Sequence, residues 1–298
     1  MTPPPHPFAK GHGAGNDFIV LPDPEGRLRL TGEMVRSLCD RRTGIGADGV
    51  LRAVHCTAAP EAASMAGEAE WFMDYRNPDG STGAMCGNGI RVLARYLVDT
   101  GLSPAGALPI ATRAGTRHVH IPRPSARFRG EVTVKMGRPG LPGPDGITVT
   151  AAGRTWPALH VDMGNPHAVV LLEDLDQAGG LTTVPAVTPA DAFPHGVSVG
   201  FAALRGPARI GLRVHERGAG ETRACGTGAC AAVTAVRTAG LSAAADSYLV
   251  DAPGGRLRVA VLPDGTLHLT GPAAVVAQGT IHFTTLTADM DASVTPAA

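Results

Sequence analysis

The sequence is poor in aromatic side chains, with two Trp, three Tyr and seven Phe among 298 residues. There is also no excess of either charge: 26 basic side chains face 26 acidic ones. That balance argues against nucleic acid or an anionic membrane surface as a partner. No apolar run approaches the roughly 20 residues that cross a bilayer. Met1-Thr-Pro-Pro-Pro-His-Pro lacks the basic start and apolar core of a signal peptide. Cysteine is scarce and odd in number, at five, which does not suit a disulfide framework. These absences lead us to expect a soluble cytoplasmic protein with reduced thiols. Glycine (39) and proline (25) are plentiful, so turns should be many and strands short. The length allows two domains, each with its own core.

Among the few cysteines, two stand in matched settings: Cys86-Gly87-Asn88-Gly89 and Cys225-Gly226-Thr227-Gly228. Each tetrapeptide leads into an apolar run. Ile90, Leu93, Ala94, Leu97 and Val98 follow the first in the stripe of a buried helix face. Ala229, Ala232, Val233 and Val236 follow the second, with small apolar residues between them. Gly101 and Gly240 stand where a left-handed residue would close each helix. Each cysteine is therefore expected just before a helix N-terminus. There, free N–H groups and the positive end of the dipole favour an anion and a lowered thiol pKa. One such site would suggest a nucleophile. Two suggest a substrate carboxylate held by two helix ends, with a thiol on either side of it.

The surrounding chain repeats in order. Lys10-Gly-His-Gly-Ala-Gly-Asn16-Asp-Phe18-Ile-Val reads as a glycine turn entering a strand, and Gly164-Asn165-Pro-His167-Ala-Val-Val echoes it. Cys86 follows Asn16 by 70 positions and Cys225 follows Asn165 by 60 (86 − 16 and 225 − 165). Motifs recurring in one order at similar spacing point to a duplicated domain. In the first half, Thr31 to Arg42 fits an amphipathic helix and Trp71 to Tyr75 a strand, while Arg76-Asn77-Pro-Asp-Gly80-Ser is a turn by composition. Short strands are expected at Arg117–Ile121, Glu131–Met136 and Ile147–Thr150, with a domain boundary near the Pro- and Gly-rich stretch 137–146. In the second half, Leu175–Gly180 and Thr188–Phe193 are candidate short helices. Ile210, Leu212 and Val214 alternate as a strand running into His215-Glu216-Arg217. Strands are expected again at Tyr248–Val250, Leu257–Leu262, Thr266–Leu269 and Gly279–Phe283.

The last two of these, at 266–269 and 279–283, are read as separate strands, and Leu286 to Ala298 carries no apolar pattern and is expected to be a disordered tail.

Two thiols on either side of a carbon next to a bound carboxylate suit one reaction. A thiolate removes the α-proton while a thiol delivers another to the opposite face, which inverts the carbon. Helix dipoles and backbone N–H groups aimed at the carboxylate would stabilise the charge that develops. No pyridoxal site and no matched metal-ligand pairs are evident, so no cofactor and no metal are expected. Burial and the helix end tune a cysteine in opposite directions, and a thiolate–thiol couple titrates as a pair.

The segments Gly11–Phe18, Arg76–Ser81, Met85–Gly89, Met163–His167 and His215–Cys230 together resemble diaminopimelate epimerases. The resemblance implies an α/β (α+β type) fold of two pseudo-repeated domains, each a curled mixed β-sheet around a central helix. It places one domain at 1–128, with a returning last strand at about 272–285, and the other at 129–271. The implied activity is cofactor-independent interconversion of LL- and meso-diaminopimelate by a cytoplasmic homodimer. By the same resemblance, Cys86 would donate and Cys225 accept the proton in the LL-to-meso direction. Gly87, Asn88, Gly226 and Thr227 would hold the reacting carboxylate. Asn16, Asn77, Asn165, Glu216 and Arg217 would bind the substrate's charged groups, and His167 and Glu216 would influence the cysteine pKa values. Ser198 stands where the family carries a substrate-binding asparagine, Gly200 where it carries a glutamate, and Gly49 where some members carry a glutamine. Two alternatives follow: a related racemase or epimerase for another amino acid, or a catalytically silent ligand-binding homologue. Asn88 and the Glu216-Arg217 pair weigh against a proline racemase.

Overall fold

The computed structural model describes residues 5–122, 129–143, 146–242 and 245–283, so the expected tail at 286–298 lies outside the described residues. The contacts divide the chain into two units. The first takes the residues up to Gly13, Asp17–Val132 and those from Ala273 on, and the second takes Ala14–Asn16 and Thr133–Pro272. Among the described residues, no helix is long and apolar enough to cross a membrane.

The first unit is built on β1 (His6–Gly13), β2 (Asn16–Pro22), α1 (Gly32–Cys39), β3 (Val50–His55), β4 (Trp71–Arg76), α2 (Gly87–Asp99), β5 (Gly106–Ala111) and β6 (Arg117–Ile121). Strand β7 (Arg129–Gly137) begins in this unit and ends in the second. The second unit follows with β8 (Thr148–Ala151), β9 (Arg154–Asp162), β10 (Pro166–Leu172), β11 (Ala186–Thr188), β12 (Ser198–Gly206), β13 (Arg209–Glu216), β14 (Gly220–Thr222), α3 (Gly226–Thr238), β15 (Ser247–Ala252) and β16 (Gly255–Val261). The last strand, β17 (Leu267–Ile281), starts in the second unit and finishes in the first.

The pairing pattern repeats. In the first unit β2–β3 is parallel, β3–β4 antiparallel, β4–β5 parallel and β5–β6 antiparallel. In the second, β10–β12, β12–β13, β13–β15 and β15–β16 alternate in the same way. Each set includes one long helix, α2 or α3, between its third and fourth strands. Parallel neighbours need a crossover connection, and the helix supplies it. Both helices are buried on nearly every side along their first ten residues, as expected of a helix enclosed by a curled sheet. The expected fold class is the one observed. Gly101 (φ 78°) and Gly240 (φ 69°) close the two helices in the left-handed conformation that glycine adopts without a Cβ clash.

Three local expectations change. Lys10–Gly13 is part of strand β1, paired with β17, rather than a turn. A Cβ on Gly11 would lie 2.7 Å from Val92 Cγ1 and 2.8 Å from the Ala274 carbonyl oxygen. These glycines therefore mark a close approach of β1 to α2, and the turn falls at Ala14-Gly15. Residues 266–269 and 279–283 are not two strands, because β17 runs unbroken from Leu267 to Ile281. Pro272 lies between the stretch paired with β16 and the stretch paired with β1, where a missing N–H does least harm. The candidate short helices reduce to single 3-10 turns at Leu175–Ala178 and Ala190–Ala192. Helix α1 begins where expected, with the Thr31 hydroxyl accepting from Met34 N at 3.2 Å, and ends at Cys39.

Candidate active site

Both matched cysteines are helix N-caps. Cys86 takes an extended backbone conformation before α2, and its sulfur accepts from Gly89 N at 3.4 Å. Cys225 does the same before α3, accepting from Gly228 N at 3.3 Å. A capping side chain satisfies one of the free N–H groups of the first turn, and here sulfur replaces the usual oxygen. Cys86 is half-buried and Cys225 is buried. The glycines after each cysteine leave room for this cap. A Cβ on Gly228 would lie 3.2 Å from Cys225 Sγ, and one on Gly89 would lie 3.5 Å from Cys86 Sγ.

The repeated pairing gives a residue-by-residue match between the units. Ile19 pairs Val50 and Val50 pairs Arg76; Ala168 pairs Val199 and Val199 pairs His215. Phe18 thus matches His167, Gly49 matches Ser198 and Asn77 matches Glu216. Asn77 and Glu216 each precede their cysteine by nine residues (86 − 77 and 225 − 216). The two cysteines therefore receive different company from equivalent positions: Phe and Asn in one unit, His and Glu in the other.

In the second unit the site residues come together. His167 Nε2 lies 3.0 Å from Thr227 Oγ1, which lies 3.5 Å from Cys225 Sγ. Glu216 is hydrogen-bonded to Cys225 and accepts from the Thr222 hydroxyl at 2.5 Å. Ser198 Oγ accepts from Arg217 N at 3.2 Å, and Arg217 Nη1 donates to the His195 carbonyl at 3.0 Å. Ser198 is buried, so its hydroxyl holds the start of the Arg217 loop. Burial pushes the Cys225 thiol well up, and the Glu216 carboxylate adds to that, against donation from Thr227 and Gly228. Burial thus outweighs the helix end at this cysteine.

In the first unit, Asn88 is buried and its Oδ1 accepts from Arg91 Nη2 at 2.7 Å. Arg91, fully buried, also donates to the Gly87 carbonyl at 3.0 Å. It fixes the first turn behind Cys86, a role the sequence reading missed. Comparing the two helices exposes it: five residues after its cysteine, one copy has Arg91 and the other Cys230. Asn77 lies just beyond β4, with Nδ2 donating to Ser81 Oγ at 2.9 Å. Asn16 is buried after the Ala14-Gly15 turn, and Asn165 is half-buried after Gly164, which has φ 88°. No three His, Cys, Asp or Glu side chains gather as metal ligands would among the described residues.

A diaminopimelate epimerase family model matches residues 8–141 and 159–276. The chain belongs to the diaminopimelate epimerase family. It is 53% identical over 277 residues to the diaminopimelate epimerase of Streptomyces coelicolor, covering 91% of this chain and 94% of that one. It is 44% identical over 281 residues to the Corynebacterium glutamicum enzyme of the same name, covering 93% and 98%. Among solved structures, a hydroxyproline epimerase from Agrobacterium vitis shares the fold, with a TM-score of 0.69 at 16% identity over 95% of this chain and 94% of that one.

His167 is wholly buried, and its pKa is lowered to about 4 by burial first, then by Arg217 and His160. The unfolded chain, with an ordinary histidine near 6.5, then binds more protons than the folded one between those values. This contribution to stability is present above about pH 6.5 and is lost as pH falls towards 4. Relative to His167→Phe, the wild type should lose up to about 3 kcal/mol over that window, read by urea unfolding at a series of pH values. A difference between the two proteins that does not change with pH would refute a neutral buried His167.

Proposed function

We propose that this chain is a cofactor-independent isomerase that interconverts LL- and meso-diaminopimelate by two-base catalysis. The supporting observation is the pair of cysteine N-caps on duplicated helices in a member of this family. Helix N-termini present N–H groups to an anion, so the first turns at Gly87-Asn88 and Gly226-Thr227 are the natural holders of the reacting carboxylate. In the LL-to-meso direction, the Cys225 thiolate takes the α-proton and the Cys86 thiol supplies one to the opposite face. After one turnover the two sulfurs have exchanged protonation states, and the reverse reaction restores them. The buried Cys225 must first lose its own proton, and Glu216, hydrogen-bonded to it, is placed to receive it.

Asn16, Asn77, Asn165 and Arg217 are assigned to the substrate's charged groups. Arg217 suits the distal carboxylate through charge-assisted hydrogen bonds, and Glu216 suits the distal ammonium. Ser198 supports Arg217 through its backbone N–H, which makes its contribution to substrate binding indirect. The working form is taken to be a cytoplasmic homodimer of two-domain subunits, divided at 128/129 with the last strand returning to the first domain. The test is to incubate purified protein with LL-diaminopimelate in D2O without added cofactor. Appearance of meso product with deuterium at the α-carbon is expected. Its absence, alongside epimerisation of a different amino acid, would overturn the substrate assignment.

A further inference from the structure

The geometry points to Thr227 as a positioning residue: its hydroxyl, oriented by the His167 ring, donates a hydrogen bond to Cys225 Sγ and stabilises the thiolate. The inference rests on Cys225 being a reacting thiol, but not on the identity of the substrate.

The direction of the chain of hydrogen bonds follows from the chemistry of its ends. A thiolate has no proton and can only accept, so Thr227 must turn its O–H towards the sulfur, 3.5 Å away. The same oxygen then accepts from the His167 ring nitrogen at 3.0 Å, which requires the proton on Nε2. The other ring nitrogen, Nδ1, is buried without a hydrogen-bond partner. A proton placed there would be an orphaned buried donor, the costlier kind of unpaired group. Both ends therefore select the same tautomer. Burial keeps the ring neutral with its pKa near 4, so the donor at Nε2 persists across working pH.

Cys225 is thereby held between opposed influences. The Glu216 carboxylate favours the thiol, while Thr227 and the Gly228 N–H favour the thiolate. The strands packed against α3 are β9, β10, β12, β13 and β16. Their buried or half-buried ionisable groups are His160 and Asp162 on β9, His167 on β10, and Arg213, His215 and Glu216 on β13, with the exposed Arg217 just beyond. Arg213 is taken up by Glu221, and neither β12 nor β16 has a buried ionisable side chain. The matched positions of the first unit hold Phe18 and Asn88, with Asn88 bound by Arg91. A histidine–hydroxyl pair of this kind is thus a feature of the Cys225 side.

The experiment titrates the thiolate itself. In full-length Cys86→Ser protein, with Cys86→Ser/Cys225→Ser as blank, Cys225 ionisation is followed by ultraviolet thiolate absorbance across pH. Adding Thr227→Val should lower the thiolate fraction about tenfold at a pH below the parent's midpoint, since a hydrogen bond to a charged group is worth at least one decade. Thr227→Ser should titrate like the parent. His167→Phe should behave like Thr227→Val, and combining the two should add little, because they remove one chain of bonds. A folded Thr227→Val or His167→Phe protein that titrates like the parent would overturn the inference. So would a combined effect equal to the two single effects together. Turnover does not enter the readout, so the failure of this inference is distinguishable from failure of the epimerase reading.

Discussion

Alanine in place of either Cys86 or Cys225 is expected to remove net epimerisation, with kcat/KM falling at least 10²- to 10⁴-fold, the usual contribution of one positioned acid or base. Inversion needs a base on one face and an acid on the other, so neither thiol can cover for its partner. The remaining cysteines make internal controls. Cys39 is buried and its thiol is pushed up to about 12, mainly by burial, and changing Cys39 to serine should leave the rate nearly intact. Both alanine variants should keep their fold, because losing an N-cap costs about 1 kcal/mol. A folded Cys86→Ala or Cys225→Ala protein that epimerised at the wild-type rate would end the two-base mechanism.

The second large effect is on stability. Asp74→Ala is expected to destabilise the protein by about 3–5 kcal/mol, the cost of breaking a buried ion pair from one side. Asp74 is 1% exposed and bonds Arg76 Nε at 2.7 Å and Arg113 Nη2 at 2.6 Å, with Arg52 at 3.5 Å. Its removal would take the shared carboxylate from Arg52 on β3, Arg76 at the end of β4 and Arg113 beyond β5, leaving Arg52 with Asp23 and Arg113 with Glu61. Burial alone would raise its pKa, but hydrogen bonds from Arg76 and Arg113 hold it below the usual carboxylate value. Its contribution is therefore fully present above about pH 4 and is lost as pH falls through the lower folded value. Urea unfolding of wild type and variant at neutral and acidic pH should show the gap closing on acidification. A gap under about 1 kcal/mol at neutral pH would show that the arginines find other partners.

How far the molecule could be read before its structure depends on how local each signal is. The helices after Cys86 and Cys225 were legible because apolar periodicity, a following glycine and the repeated tetrapeptide agree within about fifteen residues of chain. Strand β1 was not, because its glycines have no turn role. Gly11 answers to Val92 and Ala274 and Gly13 to Asn88 and Arg91, all distant in sequence. For the same reason β17 reads in the sequence as two separate strands, at 266–269 and 279–283, because its continuity across Gly271-Pro272 depends on which strands pair to either side. Arg91 went unnoticed because a lone arginine in an apolar helix gives no sign of the carbonyl and amide it will hold.

The sequence by itself determined the duplication, the two cysteines and their place before helix N-termini, and the family, because all of these are carried by order and spacing along one chain. Tertiary structure alone decided how the residues of each unit share the chemistry. Strand register set His167 on β10 beside Ser198 on β12. Packing brought Thr227 between an imidazole and a thiol, and burial rather than the helix end prevailed at Cys225. Register, burial and hydrogen-bond direction arise only when distant segments meet, so no pattern along the chain encodes them separately.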